Sequence, residues 1–360
     1  MRCLNCRQNG LPTSTEKCPH CGAIINFLLR DMLPSGTLLH NRRYCIDYPL
    51  GRGGFGITYR AFDTTFNMVV VIKEFFPQEH AMRKGPGGYV DVPTTQHGSY
   101  EKALNHFLEE ARILAKIKRE NVVRVFDYFK YHNTAYIVME MVEGRTLREL
   151  IDARPGQRFP PADVEKITAQ MVTALDAIHR YGVFHLDISP DNVLQNDEGQ
   201  IVLIDFGAAR QSLRTNESYS SGAAHQYKLA YAAPEILAGA SVGPRSDLFE
   251  LAMMTHELLN GARPPSVLQR AATADQWQPQ LTDERWQDVL TVALRLEQEK
   301  RPAGVLDWWN LYLDWPKGRK GRSKMVLGSK TDKSKIESKI VIGQRAGTRR
   351  TPAQNTNKRR

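Results

Sequence analysis

The six residues Gly51-Arg-Gly-Gly-Phe-Gly56 restrict the architecture more than any other stretch of the chain. The spelling G-x-G-x-x-G serves both dinucleotide-binding crossovers and loops that cover a nucleotide's phosphates, and the residues after the last glycine separate the two. Here those residues are ITYRAF, β-branched and aromatic with period two, which reads as a strand and not a helix. The unit is therefore a hairpin: YCIDYPL, the glycine turn, GITYRAF, with MVVVIKEF as a third strand. Glycine suits the turn because a Cβ would keep backbone N–H groups from closing on phosphate oxygens.

Seventeen residues past Gly56 stands Lys73, at the end of the apolar run VVVIK. An ammonium at the end of a buried strand needs a partner. Residues 101–117 carry apolar positions at 104, 107, 108, 111, 114 and 115, an amphipathic helix that places Glu110 on its inner side as that partner. The alternative is a lysine snorkelling outward from a strand end. Two more strands come next, VVRVFDYF and TAYIVMEM, and from Pro161 the pattern is mainly helical, interrupted by a loop region over 183–235.

Inside that region HLDISPDN, residues 185–192, holds one carboxylate (Asp187) and one amide (Asn192) at fixed separation, and IDFG stands at 204–207. In this combination, residues 38–315 resemble a eukaryotic-like protein kinase of the bacterial Ser/Thr type. GRGGFGITY resembles the nucleotide loop, VVVIK the lysine strand with Val71 where alanine is usual, and FLEEA the helix bearing Glu110. YIVMEMVEG resembles the segment that joins two lobes, HLDISPDN the catalytic loop and IDFG the metal-binding turn. AAPE at 232–235 resembles the end of the activation segment, and SDLFELA with Asp247 the start of the next helix. KRP supplies Arg301, expected to pair with Glu235.

The resemblance implies an α+β bilobal fold: a five-stranded antiparallel N-lobe with one helix, and a mainly helical C-lobe. It implies ATP and Mg²⁺ or Mn²⁺ as nucleotide and cation, with transfer to Ser/Thr hydroxyls of protein substrates. Leu50, Gly51, Gly53, Gly54 and Gly56 would cover the nucleotide, and backbone groups of Glu140 and Val142, beside the gatekeeper Met139, would contact adenine. Lys73, oriented by Glu110, would hold the α- and β-phosphates. Asn192 and Asp205 would bind the cations, for which amide and carboxylate oxygens are suited. Asp187 would accept the substrate hydroxyl proton.

Two positions depart from the family pattern. Leu186 replaces the arginine that ordinarily receives a phosphorylated activation segment, so Thr215, Ser218, Tyr219, Ser220 and Ser221 are expected to be dispensable as switches. Ser189 stands where Ser/Thr kinases carry a lysine near the transferring phosphate, and Lys228, seven residues before Glu235, stands where they carry a threonine. Either Lys228 reaches back to supply the charge, or it faces solvent and the substitution is tolerated at a lower rate.

Four of the five cysteines lie in residues 1–22 as CLNC (Cys3, Cys6) and CPHC (Cys18, Cys21). Two Cys-x-x-Cys knuckles close a Cys₄ site for structural Zn²⁺, and about twenty residues with no core of their own would draw their folding free energy from the metal. The segment resembles a zinc ribbon. Disulfides and free thiols are the alternatives, disulfides being disfavoured in a cytosolic chain. Cys45 reads as a small core residue of a strand.

The formal net charge of +10 is misleading: fifteen Lys/Arg against two acids between Lys317 and Arg360 give the tail +13, leaving the body near −3. The tail, 316–360, reads as disordered, with KIVI at 339–342 as one run able to dock as a strand. Such a tail suits weak contact with nucleic acid or anionic membrane, or autophosphorylation at Ser329, Thr331, Ser334 and Thr348. Residues 23–37 read as a linker, and 77–99 as a long insertion between the lysine strand and the helix. No apolar run of transmembrane length and no signal pattern occur, so a cytoplasmic protein is expected. A nucleotide-binding pseudokinase scaffold that recruits partners through head and tail is the competing reading, and Lys73, Asp187, Asn192 and Asp205 together argue against it. A small-molecule kinase of related fold is disfavoured by AAPE and Arg301.

Overall fold

The chain is described by a computed structural model that covers residues 3–6, 8, 10–12, 14–54, 56–78, 80–84, 88–206, 230–273 and 275–315. Lys228, the five activation-segment hydroxyl residues and the tail with its KIVI run lie outside the described residues.

Strands β1 (Leu38–Leu39), β2 (Tyr44–Gly53), β3 (Gly56–Asp63) and β4 (Met68–Phe75) form the first part of an antiparallel N-lobe sheet; β5 (Met82–Lys84) and β6 (Tyr89–Asp91) pair in a separate hairpin. After α2 (His97–Leu114), β7 (Val125–Tyr131) and β8 (Thr134–Glu140) complete the large sheet in the order β1-β2-β3-β4-β8-β7. The five expected strands are all present. The sixth is the two-residue β1, whose partners are Tyr44 and Cys45, and two residues are too few to show a period. The period-two reading of ITYRAF is realised in β3, where Ile57, Tyr59 and Ala61 are buried. On α2 the buried set Leu104, Phe107, Ala111 and Leu114 recurs at helical spacing, and the helix packs on β7 and β8. It runs from His97 to Leu114, four residues earlier at its start and three shorter at its end than the expected 101–117.

Residues 23–37 do more than connect. The short helix α1 (Ile25–Leu28) packs Ile25 with Cys3, Leu11 and Cys18 in a small core. Met32 and Leu33 join the main core, and the Leu33 amide donates to the Tyr59 hydroxyl at 3.1 Å. The insertion is likewise anchored: Arg83 of β5 pairs with the wholly buried Glu74 of β4 at 2.7 Å.

Beyond β8 the chain crosses to the C-lobe through β9 (Arg145–Thr146), which pairs with β10 (Val193–Gln195), itself paired with β11 (Ile201–Leu203). Gly144, at the crossing, has φ 145°, and a Cβ there would lie 2.5 Å from the Gln195 carbonyl oxygen, so only glycine allows this approach. Helices α3 (Leu147–Asp152), α4 (Pro161–His179), α5 (Pro234–Leu237), α6 (Pro244–Asn260), α7 (Val267–Ala272), α8 (Glu284–Ala293) and α9 (Val305–Leu313) make up the rest. From Ser246 to Leu258 every residue of α6 is buried, so it runs through the middle of the lobe with α4 packed on it.

Candidate active site

The loop 185–192 is suspended from α6 by its own backbone. Asp247, in the first turn of α6, accepts the His185 N–H at 2.9 Å through Oδ2 and the Leu186 N–H at 2.8 Å through Oδ1. The His179 ring nitrogen Nε2 lies 2.7 Å from the same carboxylate. One turn on, Glu250 accepts the Ile188 N–H at 2.8 Å. Both acids are buried, and spacing i, i+3 puts them on one helix face. Buried carboxylates in an apolar helix are tolerable only when so satisfied. Leu186 takes the left-handed conformation, φ 58°, within this clamp.

The loop is also tied to the strand beyond it. The His185 ring Nε2 lies 2.9 Å from the Ile204 carbonyl, which only accepts, so this nitrogen carries the proton. Burial lowers the His185 pKa and keeps the ring neutral. The Ile204 N–H donates to the Asn192 carbonyl at 2.9 Å.

Ser189 opens a single 3₁₀ turn, Pro190–Asn192, and is buried. That turn brings the Asn192 side chain back over Asp187: Nδ2 donates to the Asp187 carbonyl at 2.7 Å and to its carboxylate Oδ2 at 2.9 Å. Both amide hydrogens are thereby committed to Asp187, which leaves Oδ1, an acceptor, as the group Asn192 can offer a cation. Across the cleft the Lys73 ammonium sits 2.5 Å from Asp205 Oδ1 and donates to the Phe206 carbonyl at 3.0 Å. Asp205 is itself in the left-handed region, φ 60°. Glu110 is buried on α2. Hard oxygen donors on Asn192 and Asp205 beside an ammonium suit a magnesium–phosphate ligand.

The last glycine of the turn stands close to Lys73. Gly56 pairs with Phe75, and a Cβ on it would fall 2.6 Å from the Glu74 carbonyl oxygen and 3.8 Å from Lys73 Cε. At the lobe crossing the Glu140 N–H is held by the Arg124 carbonyl at 3.0 Å, and its carboxylate accepts the Arg124 N–H at 2.7 Å, so residue 140 is fixed where the strand ends. Val142 is half-buried against the core beside it.

Arg148 carries no sequence signal, being one cation on a short amphipathic helix. It is buried and bonds Glu257 at 3.0 and 3.2 Å and the Tyr231 hydroxyl at 2.6 Å, with Asp191 at 3.7 Å. Tyr231 donates to Glu257 as well. The cluster joins the loop 185–192 to the chain that precedes AAPE. There Glu235 accepts both arms of Arg301 at 2.8 and 3.0 Å and the Ser246 hydroxyl at 2.7 Å.

Away from this cleft the four thiols of Cys3, Cys6, Cys18 and Cys21 lie within 4.8 Å of one another. The Cys3–Cys21 and Cys6–Cys18 sulfur separations are both 3.7 Å, too long for a disulfide and near the ~3.8 Å edge of a tetrahedron with ~2.3 Å metal–sulfur bonds. The Asn5 amide, 3.3 Å from the Cys21 sulfur, draws that thiol down to about 6, whereas on Cys6 the Gln8 amide is outweighed by lost hydration and the three neighbouring thiols, which push it up to about 12. Four sulfurs this close cannot all ionise alone; a soft dication relieves the conflict.

Residues 44–304 match the family model of the protein kinase domain. A serine/threonine-protein kinase PknL of Mycobacterium tuberculosis is 31% identical over 235 residues, which are 65% of this chain and 53% of that protein. Serine/threonine-protein kinase F of Synechocystis is 27% identical over 317 residues, 83% of this chain and 58% of that one. The chain thus spans little more than half the length of these curated relatives. Among solved structures, the apo form of PpkA-294 superposes with a TM-score of 0.64 at 27% identity, covering 78% of this chain and 99% of its own. The PknI kinase domain of M. tuberculosis, at 22% identity, shares the fold with a TM-score of 0.58, covering 79% of this chain and 100% of that domain.

Proposed function

Because this chain belongs to the protein kinase family, we propose that it transfers the γ-phosphoryl group of ATP to serine or threonine hydroxyls of protein substrates. The observation that carries the reading is the Asn192–Asp187 pair. One amide donates to both the main-chain carbonyl and the carboxylate of Asp187, and keeps its oxygen for a cation. In this reading Asp187 takes the proton of the attacking hydroxyl, a contribution on the order of 10²–10⁴ in rate. Lys73 holds the α- and β-phosphates, Asn192 and Asp205 hold Mg²⁺ or Mn²⁺, and the turn Leu50–Gly56 covers the nucleotide. The cation, when bound, neutralises charge developing on the transferring group. Glu140 and Val142 offer backbone groups to adenine. Ser189 with Lys228 stays the proposed substitute for the usual lysine–threonine pair.

The experiment is incubation of the full chain with γ-labelled ATP, a protein acceptor and Mg²⁺ or Mn²⁺, beside Asp187→Asn. Label in the wild type alone supports the reading; label in both, or in neither, overturns it.

For the head, Cys3, Cys6, Cys18 and Cys21 are proposed to hold one structural Zn²⁺. The support is the mutual closeness of the four sulfurs. Metal analysis of the purified chain, expected to give one zinc per molecule and none for Cys18→Ser with Cys21→Ser, tests it.

A further inference from the structure

Arg52, the residue between the first two glycines of the nucleotide turn, does not point at the cleft. Its Nη1 donates to the Arg30 carbonyl at 2.7 Å, and Nη2 lies 3.6 Å from Asp31 Oδ2. The next residues of the turn are held from the other side. Gln78, at the start of the insertion, donates its side-chain amide to the Gly53 carbonyl at 2.7 Å and its backbone N–H to the Gly54 carbonyl at 3.0 Å. Two independent grips on three consecutive turn residues are unusual for a segment whose glycines otherwise leave it many conformations.

The backbone that receives Arg52 is bonded to the sheet and packed against the Cys₄ head. Asp31 is in the left-handed conformation, φ 63°, and its carbonyl accepts Arg83 Nε at 2.7 Å. Arg83 also donates to the Gly88 carbonyl at 2.6 Å and to buried Glu74, which accepts the Tyr59 and Tyr136 hydroxyls at 2.9 and 2.8 Å. Two residues upstream, Leu29 packs against both hydrophobic clusters, the one around Cys3, Cys18 and Ile25 and the main core. The backbone that carries Arg30 and Asp31 thus runs between the sulfur cluster and the sheet, with contacts at both ends.

We infer that the metal-binding head is a positioning element for the nucleotide turn, its occupancy being transmitted through Arg30 and Asp31 to Arg52. This rests on the kinase reading of the turn and on the thiols holding zinc. Ordering the head fixes the two oxygen atoms that receive the Arg52 guanidinium. A turn already held in its covering arrangement binds nucleotide more tightly, because the affinity of a fractionally populated competent state is reduced by that fraction. When the head loosens, Arg52 loses its acceptors and the turn samples conformations that do not cover phosphate.

The test uses the full chain, zinc-loaded or stripped with a chelator. Two quantities are read: the Kd for a non-hydrolysable ATP analogue with Mg²⁺, and hydrogen exchange of the amides of 50–56. Removing zinc from the wild type is expected to raise Kd about five- to tenfold and to speed that exchange. Arg52→Met, which keeps the aliphatic stem, is expected to give a similar rise with zinc bound and then to respond less than about twofold to stripping. Gln78→Ala weakens the other grip and stays zinc-responsive, and Arg60→Ala, on the neighbouring strand, behaves as wild type. Unchanged Kd and exchange on stripping the wild type overturn the inference, as do zinc and Arg52→Met effects that simply multiply, or a chain that takes no zinc. Should zinc-loaded wild type bind no nucleotide, the kinase reading falls, and the exchange rates alone then decide the coupling.

Discussion

Asp247 accepts the backbone N–H of Leu186 at 2.8 Å while Leu186 stands in a left-handed conformation, φ 58°. A left-handed residue other than glycine costs roughly 1–2 kcal/mol, and here the bond its N–H donates to a wholly buried carboxylate offsets it. The strain sits immediately before Asp187, so the same bond that tolerates it fixes the direction in which the proposed base emerges.

Asp247→Ala would leave the N–H groups of His185 and Leu186 buried without acceptors and remove the partner of His179. At about 1–3 kcal/mol for each stranded donor, destabilisation by about 3 kcal/mol or more is expected in urea unfolding. A variant within about 1 kcal/mol of wild type would show that the clamp is dispensable.

Asn192→Ala is expected to lower phosphoryl transfer on the order of 100-fold and to raise the Mg²⁺ concentration needed for half-maximal rate, because it removes both the proposed cation ligand and the support of Asp187. Titration of rate against Mg²⁺ reads both effects. A rate deficit with an unchanged Mg²⁺ requirement would assign Asn192 to positioning alone.

Arg301→Ala would strand the Glu235 carboxylate in a buried site where it now receives two arms of one guanidinium. Loss of about 3–5 kcal/mol is expected. Arg301→Lys should recover only part of it, since an ammonium cannot match the fork. Denaturation midpoints of the two variants separate charge from geometry.

Changing Thr215, Ser218, Tyr219, Ser220 and Ser221 together to alanine is expected to leave activity within tenfold of wild type, since Leu186 offers no cation to a phosphate. Steady-state rates of the five-site variant decide it; a larger loss would place the receiving cation elsewhere.

His256 is buried in α6 against Trp277, and burial drives its pKa from 6.5 down to about 4. The unfolded chain therefore binds the extra proton between those values, so stability is full above pH 6.5 and falls as pH drops towards 4. The single residue accounts for a decline on the order of 3 kcal/mol. His256→Asn should flatten the curve of melting temperature against pH in that window; an unaltered slope would assign the decline to other groups.

The elements that line the cleft could be read from the chain because each is local. Period two in ITYRAF, the helical spacing of 104–114 and the order of Lys73, Asp187, Asn192 and Asp205 need no knowledge of distant contacts. Glu250, His179 and Arg148 were not legible in that way. Each is a polar residue in an otherwise ordinary helix, and its meaning comes from a backbone N–H, a carboxylate or a phenol brought to it from about 60 to 110 residues away. The 77–99 insertion hid its hairpin for a similar reason: three-residue strands show no period, and ties such as the ion pair from Arg83 to Glu74 and the bond from Val90 to His132 come from distant chain.

The amide of Leu33 bonded to the Tyr59 hydroxyl bears on where this polypeptide can be cut. Composition changes near Leu38, which invites a fragment beginning there. Such a fragment would remove Met32 and Leu33 from the core and the Asp31 carbonyl from Arg83, exposing apolar surface on the sheet and leaving a buried guanidinium short of an acceptor. Recombinant N-lobes of this protein should therefore begin ahead of Ile25, and low solubility of shorter pieces would be a property of the cut, not of the protein.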